Sequence, residues 1–219
     1  MRPVLLILAG FAMVALLLAW TRWLSERRWA AAGNLALGLG AAVLTAWSWP
    51  LGLHLETYEP HRSGQSIAEL FLEQTGSSRF RASLTRFPSG QMQVFELRGD
   101  EWRIEARTLT WIGRAAELGI TSSHRLEHLS SRPAGTAEQP IDELDAIATA
   151  FALGEDRGTD LWAGAQGASL WGRVLEAGLA ASPWRPMANG ARFELRLGAT
   201  GLEANPLNAA ASASRAAAR

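Results

Sequence analysis

The sequence predicts an α+β membrane protein, in which a two-helix N-terminal transmembrane hairpin precedes a mostly antiparallel β domain with two or three short helices. Two uncharged stretches near the N-terminus predict the helices, because about 20 apolar residues cross a hydrocarbon core. Apolar and polar residues alternate from Ile67 onward, which predicts strands with one buried face. The chain is therefore expected to contain a hairpin at 1–53, a soluble α+β domain at 54–208 and a disordered alanine-serine tail at 209–219.

The two predicted spans cover residues 4–20 and 30–49, and neither contains an ionisable residue. A cleaved signal peptide is the alternative for the first span, but no A-x-A site follows it and a second apolar stretch does. The second span is less apolar, and Pro50 and Gly52 are expected to end it. Small residues at every fourth position predict a ridge for close helix packing, and alanine-rich composition is the alternative explanation. The ridge consists of Gly38, Ala42 and Ala46, and Ala12, Ala15 and Ala19 offer a similar face on the first span.

Tryptophans mark the two expected membrane interfaces. Trp20, Trp23 and Trp29 cluster around the loop between the spans. Trp47 and Trp49 lie about 27 Å away along the second helix, at a rise of 1.5 Å per residue. Aromatic rings of this kind concentrate at headgroup level, so these five side chains are expected to be membrane-interface anchors.

Arginine placement predicts the orientation of the hairpin. The loop contains Arg22, Arg27 and Arg28 against a single acid, Glu26. Short loops rich in basic residues stay in the cytoplasm, so both chain ends and the soluble domain are expected in the periplasm. Every basic residue is arginine, and alanine and glycine are abundant, which indicates a GC-rich bacterial genome. The expected location is therefore a bacterial inner membrane, crossed twice.

Period-two patterns predict four strands in one antiparallel meander, with turns at 87–91 and 98–100. The predicted strands are Ile67–Gln74, Phe80–Thr85, Gln91–Arg98 and Glu101–Ile112. Three helices are predicted next: Arg114–Leu118, Ile141–Leu153, and one that Thr159 caps, with apolar positions from Leu161 to Leu175. Asn189-Gly190 predicts a hairpin, and Leu202–Ala204 a last short strand.

Histidines supply the few candidate ligands. His124, Glu127 and His128 match the H-x-x-E-H pattern of inverted zinc proteases, which requires a helix, and Glu203 is a possible third ligand. The segment is short, so solvated surface histidines are expected, with metal binding or zinc hydrolysis as alternatives. His54, Tyr58 and His61 follow the second span and have the composition of a membrane surface, with pH sensing or ligand binding as the alternative.

Several function classes are disfavoured by composition. The residues after Leu53 include 17 arginines and 20 acids without a basic block, which argues against nucleic-acid binding. The chain has no cysteine, so disulfides and thiolate metal sites are excluded. It has no phosphate-binding glycine loop and no nucleophile beside a base in a recognisable motif. We therefore expect neither an enzyme nor a cofactor.

Three stretches, LRGDEWRIEARTLTWIG at 97–113, HRLEHLSSR at 124–132 and PMANGARFELRLGATGLEANPLN at 186–208, carry a family resemblance. The chain resembles a family of small bacterial inner-membrane proteins often labelled multidrug transporter or cation/multidrug efflux pump. The resemblance implies a two-helix anchor and one β-rich domain, and brings no catalytic or binding residue. The leading hypothesis is a non-catalytic envelope interaction protein, bound to the lipid bilayer and to a protein partner or a second copy. An accessory component of an efflux system is the alternative.

Overall fold

The computed structural model describes residues 2–60, 64–117, 121–134, 149–155, 157–166, 171–198 and 201–217. The chain divides into two compact units. The first contains Met1–Tyr58 and Asp156–Gly164, and the second contains Glu59–Glu155 and Ala165–Arg219. The boundary expected after residue 53 therefore lies a few residues later, and the first unit also takes a segment from the predicted soluble domain.

Two antiparallel helices make up most of the first unit. Helix α1 spans Arg2–Leu24 and helix α2 spans Arg28–Leu55, and both are long and apolar enough to cross a membrane. At 23 and 28 residues they measure about 35 and 42 Å, longer than the predicted spans. Pro50 does not end α2 as predicted, because a proline removes only one main-chain donor and a helix with other support continues past it.

The helices meet along a seam whose buried residues recur mostly at spacings of three, four or seven residues, as expected for one face of a helix. The buried residues are Leu5, Ala12, Ala15 and Ala19 of α1 and Ala31, Gly38, Ala41 and Gly52 of α2. Gly38 lies against Leu16, but Ala42 is half-buried and Ala46 is exposed. This differs from the predicted four-residue ridge, because each step of four residues turns about 40° too far around a helix.

The second unit is a sandwich of two antiparallel sheets. The strands of the five-stranded sheet are β2 (Ser66–Gly76), β3 (Arg79–Arg86), β4 (Met92–Arg98), β10 (Arg192–Gly198) and β11 (Gly201–Pro206). Their order is β11-β10-β2-β3-β4, so β4 and β11 are its edges.

The other sheet has six strands around one long central ladder. Its strands are β1 (Glu59–Pro60), β5 (Glu101–Trp111), β6 (Ser123–Arg132), β7 (Thr149–Ala152), β8 (Leu175–Ala181) and β9 (Arg185–Pro186). Strands β5 and β6 form the ladder; β1 and β7 pair with different ends of β6, and β8 and β9 pair with β5. The remaining elements are α3 (Arg114–Glu117), α4 (Leu161–Gln166), a 3₁₀ turn (Trp171–Arg173) and α5 (Ala209–Ala217).

The hydrophobic core lies between the sheets and confirms the predicted alternation. Phe80, Ala82 and Leu84 of β3 point inward, as do Trp102 and Ile104 of β5. Trp102 also packs against Phe193 from the other sheet, with ring centroids 5.1 Å apart. Tilted aromatic pairs at this separation stabilise a core beyond the area they bury.

Two turns predicted as hairpins instead carry the chain from one sheet to the other. Gly99 follows β4 and precedes β5, which belongs to the six-stranded sheet, so the meander contains three strands rather than four. Its φ is 126° and a Cβ there would lie 2.4 Å from the Arg132 oxygen, so only glycine fits. Asn189-Gly190 likewise joins β9 to β10, and the Asn189 side chain accepts a hydrogen bond from the Gln74 nitrogen at 2.9 Å.

The middle of the chain departs furthest from the predictions. Strand β6 covers residues for which no strand was predicted, and most of its side chains are buried. Of the predicted helix Ile141–Leu153, residues 141–148 lie outside the described part, and β7 forms a strand. Of the helix expected from Asp160 to Leu175, Leu161–Gln166 forms α4, residues 167–170 lie outside the described part, and Leu175 begins β8. Asp160, not Thr159, accepts the capping bonds, from the nitrogens of Trp162 and Ala163.

The C-terminal segment forms helix α5 rather than the disordered tail predicted for 209–219. Asn208 caps it by accepting a hydrogen bond from the Ala211 nitrogen at 3.0 Å, and its own amide donates to the Gly190 oxygen at 2.7 Å. Ala211 is fully buried. Alanine favours a helix strongly, and these contacts with distant residues supply the nucleus that the local sequence lacks.

Candidate functional site

The H-x-x-E-H segment lies in strand β6 and not on a helix. At about 3.4 Å per residue, the Cα atoms of His124 and His128 are about 13 Å apart, too far for both rings to reach one zinc ion at about 2 Å. His124 is only 3% exposed, which corrects the expectation of a solvated side chain, whereas His128 is open to solvent and lies 3.8 Å from Glu105. Glu203 belongs to β11 in the other sheet. The described residues contain no cluster of three or more possible metal ligands.

Glu127 sits instead at a β-bulge and forms ion pairs with two arginines. Arg107 and Arg125 are directly opposite each other on β5 and β6, a like-charged pair that destabilises a sheet. The register skips Glu127, and its carboxylate lies 3.0 Å from both guanidinium groups. The Arg125 side chain is 2% exposed, so this ion pairing satisfies charge inside the fold.

Two further arginines of this sheet also pair with acids. Arg132 binds Glu101 at 2.7 Å, and Arg103 pairs with Glu105. The guanidinium carbons of Arg132 and Arg103 lie 4.2 and 4.8 Å from the ring centre of Trp184. Arginines held by carboxylates and an aromatic ring are poor phosphate ligands, and the expectation that the protein does not bind nucleic acid stays a prediction.

A polar cluster closes the end of α2 in the first unit. His54 is 1% exposed, and its Nε2 lies 3.4 Å from the Oδ1 of Asp160, the residue that caps α4. The ring of Tyr58 packs 5.3 Å from the ring of His54, and Tyr58 is also buried. Both were expected at a membrane surface. The third member of that predicted group, His61, lies outside the described residues.

The predicted anchor and orientation residues are all exposed. Trp20, Trp23, Trp29, Trp47 and Trp49 are between 46% and 94% exposed. Arg22 lies in the last turn of α1, Arg27 in the loop and Arg28 at the start of α2. These side chains are exposed, and the membrane-interface and orientation roles predicted for them stay predictions.

Edge strand β4 is the part of the sandwich surface best suited to bind another protein. Among the described residues only β3 pairs with it. Met92 and Val94 are 66% and 55% exposed on the outer face. Native edge strands are usually protected by charge, proline or shortness, and an unprotected edge is a template for another strand.

The backbone of β4 has a defined set of free groups. The Arg86 nitrogen donates to the Gln91 oxygen, so these two residues form a hydrogen-bonded pair across β3 and β4. Such pairs alternate along an antiparallel ladder. The peptide groups of Gln93 and Phe95 therefore face β3, and those of Met92 and Val94 face the open edge.

The other strand edges offer less. Strands β1 and β9 have two residues each and end in proline, and β7 has four residues. Strand β11 also ends in proline and packs against α5. Strand β8 is as long as β4 but carries one exposed large apolar side chain, Leu179. The sequence predicted a strand at Gln91–Arg98, and its exposed alternation was the one signal for this site.

Arg86, the last residue of β3, holds a side chain near the start of β4. Its Nη2 donates to the Gln93 Oε1 at 2.8 Å and to the Leu153 oxygen at 2.6 Å. Burial lowers the pKa of Arg86, and Glu59 and Glu155 oppose that change. Burial also raises the pKa of Glu59, and the charge of Arg86 opposes it. Arg86 thus fixes Gln93 beside the open edge.

No protein-family model, curated protein or solved structure matches the chain.

Proposed function

We propose that this protein is a non-catalytic interaction protein of the bacterial envelope, anchored in the inner membrane by α1 and α2. The proposal is supported by two helices of membrane-spanning length, by exposed tryptophans near their ends and by three arginines around the connecting loop. The positive-inside rule puts that loop in the cytoplasm and the sandwich in the periplasm. The described residues of the predicted spans include no ionisable group for ion coupling, so an efflux role is not adopted.

The observation that carries the proposal is the open edge of β4. An extended segment of a partner can add to this edge as a further strand, with the free peptide groups of Met92 and Val94 supplying affinity. Their side chains, exposed on the outer face, supply an apolar contact that favours one register over its neighbours. The arginines described above on the six-stranded sheet already pair with carboxylates, so they are less suited to bind a partner.

Site-specific photo-crosslinking in cells tests this binding role. A photoreactive residue replaces Val94, and the matched control replaces Glu203, which is exposed on β11 at the opposite edge of the same sheet. We expect protein adducts from position 94 and none from position 203. If neither position, or only position 203, gives an adduct, β4 is not a binding edge.

A reporter fused to the C-terminus tests the location separately. Alkaline phosphatase folds and acts in the periplasm, whereas green fluorescent protein exported in unfolded form does not fluoresce there. We expect an active phosphatase fusion and a dark fluorescent one, both in the inner-membrane fraction. The reverse pair of results would place the sandwich in the cytoplasm. Recovery of the fusions in a soluble fraction would contradict the proposal that α1 and α2 anchor the protein in the membrane.

A further inference from the structure

We infer that the strand added to β4 is β4 of a second copy of this chain, paired antiparallel about a two-fold axis at Gln93. The inference rests on the proposed function, since it names the partner of the same edge. Joining two five-stranded sheets in this way makes one ten-stranded sheet across two molecules. A two-fold axis normal to the sheet keeps the outer faces of both copies on the same side.

Side chains select this register. With the axis at Gln93, Met92 of each copy lies opposite Val94 of the other, and the four exposed apolar side chains form one patch. Glu96 then lies opposite Gly90 of the other copy, so no acid faces an acid. An axis at Val94 would place Met92 opposite Glu96, and an axis at Phe95 would place Val94 opposite Glu96. Of these three registers, only the one at Gln93 pairs Met92 with Val94 and keeps Glu96 away from both apolar side chains.

The main chain accommodates the same register. Met92 and Val94 carry the peptide groups that face the open edge, so each pair across the axis exchanges two hydrogen bonds. Gln93 itself becomes a non-hydrogen-bonded pair with its copy. Its Oε1 already accepts from Arg86, which holds the side chain while its amide nitrogen can donate across the axis.

The two β4 strands overlap over only a few residues, so the inferred pairing also depends on anchoring in the bilayer. An overlap of about five residues on each side buries less than the roughly 1,200 Å² of a stable complex. Anchoring confines both copies to one plane and raises their effective concentration. We therefore expect pairs in membranes that dissociate when protein is diluted into excess lipid or detergent.

Disulfide scanning in native membranes tests the inference, and the chain is suited to it because it has no cysteine of its own. Residues of a non-hydrogen-bonded pair have Cα atoms about 4.5 Å apart, within the range for a disulfide. Q93C is therefore expected to give a covalent dimer under mild oxidation. In E96C the two residues are six positions apart along the strands, about 20 Å, and no dimer is expected. Glu203→Cys measures random collision.

Each outcome has a defined meaning. Faster crosslinking at 96 than at 93 would overturn the register, and rates at 93 no higher than at 203 would overturn self-pairing. If the photoreactive residue at 94 captures a different protein while Q93C stays monomeric, the proposed function stands and this inference fails. Adding Val94→Lys to Q93C should slow crosslinking about tenfold, because the substitution removes the contact between Met92 and Val94 on both sides of the two-fold axis. Val94 is exposed, so this change leaves the fold intact.

Discussion

Gly38→Ala in α2 is expected to weaken the helix pair. An alanine Cβ at this position would lie 2.8 Å from both Cγ and Cδ2 of Leu16, and 3.1 Å from its main-chain nitrogen. The leucine side chain can rotate away, but the nitrogen moves only if α1 moves. Overpacking of this kind costs about 1–3 kcal/mol. The change should therefore shift the equilibrium between packed and separated helices by roughly 5- to 150-fold.

Gly40→Ala is the matched control, because nothing lies within 4 Å of a Cβ at Gly40 of the same helix. Both substitutions gain the same helix propensity, so the difference between them isolates the contact with Leu16. Pyrene attached at Leu6→Cys and Leu53→Cys, which line one groove between α1 and α2, reports helix separation as loss of excimer fluorescence. The full-length protein in mixed micelles is titrated with SDS. If the helices of the two variants separate at the same SDS fraction, the predicted contact between Gly38 and Leu16 is refuted.

Three further changes test the sandwich by denaturant unfolding. Glu127→Gln leaves two arginines without their shared carboxylate and should cost about 3–5 kcal/mol; a loss below 1 kcal/mol would refute the buried pairing. Asn208→Ala removes the cap of α5 and should cost about 1 kcal/mol, whereas an unchanged midpoint would mean that the helix is not docked. Burial raises the pKa of Glu59 against the opposing charge of Arg86, so its contribution to stability is full below about pH 4 and is lost as pH rises through the folded pKa. Glu59→Gln should therefore be more stable than the parent at pH 7 and equal to it below pH 4, and the opposite order at pH 7 would contradict the burial.

The elements that were predicted correctly depend on local periodicity. The two apolar stretches gave α1 and α2, and alternation gave β2, β3, β4 and β5 to within a few residues. Sheet membership could not be predicted in this way, because Gly99 and Gly190 look like ordinary turn residues. That each carries the chain into the other sheet depends on pairings with distant strands.

Strand β6 was missed for a related reason. Arg125 and Glu127 resemble solvated residues in the local sequence, but they pair with each other inside the sheet, and Arg107 on β5 shares the same carboxylate. Alternation in the sequence predicted strand β4 itself. Its position at the edge of the sheet could not be predicted, because it depends on the pairing of distant strands. Helix α5 likewise depends on the hydrogen bond from Asn208 to Gly190, a residue that lies too far away in the sequence to be found from the C-terminal segment alone.

The hydrogen bond from Thr159 to the oxygen of Pro50 makes the first unit discontinuous along the chain. During synthesis α2 is finished about 100 residues before the segment at 156–164 exists, so the hairpin is complete only after much of the sandwich has left the ribosome. A single proteolytic cut after Tyr58 would not yield two intact pieces. The freed sandwich would keep the segment that belongs with the helices, and the helix pair would lose it.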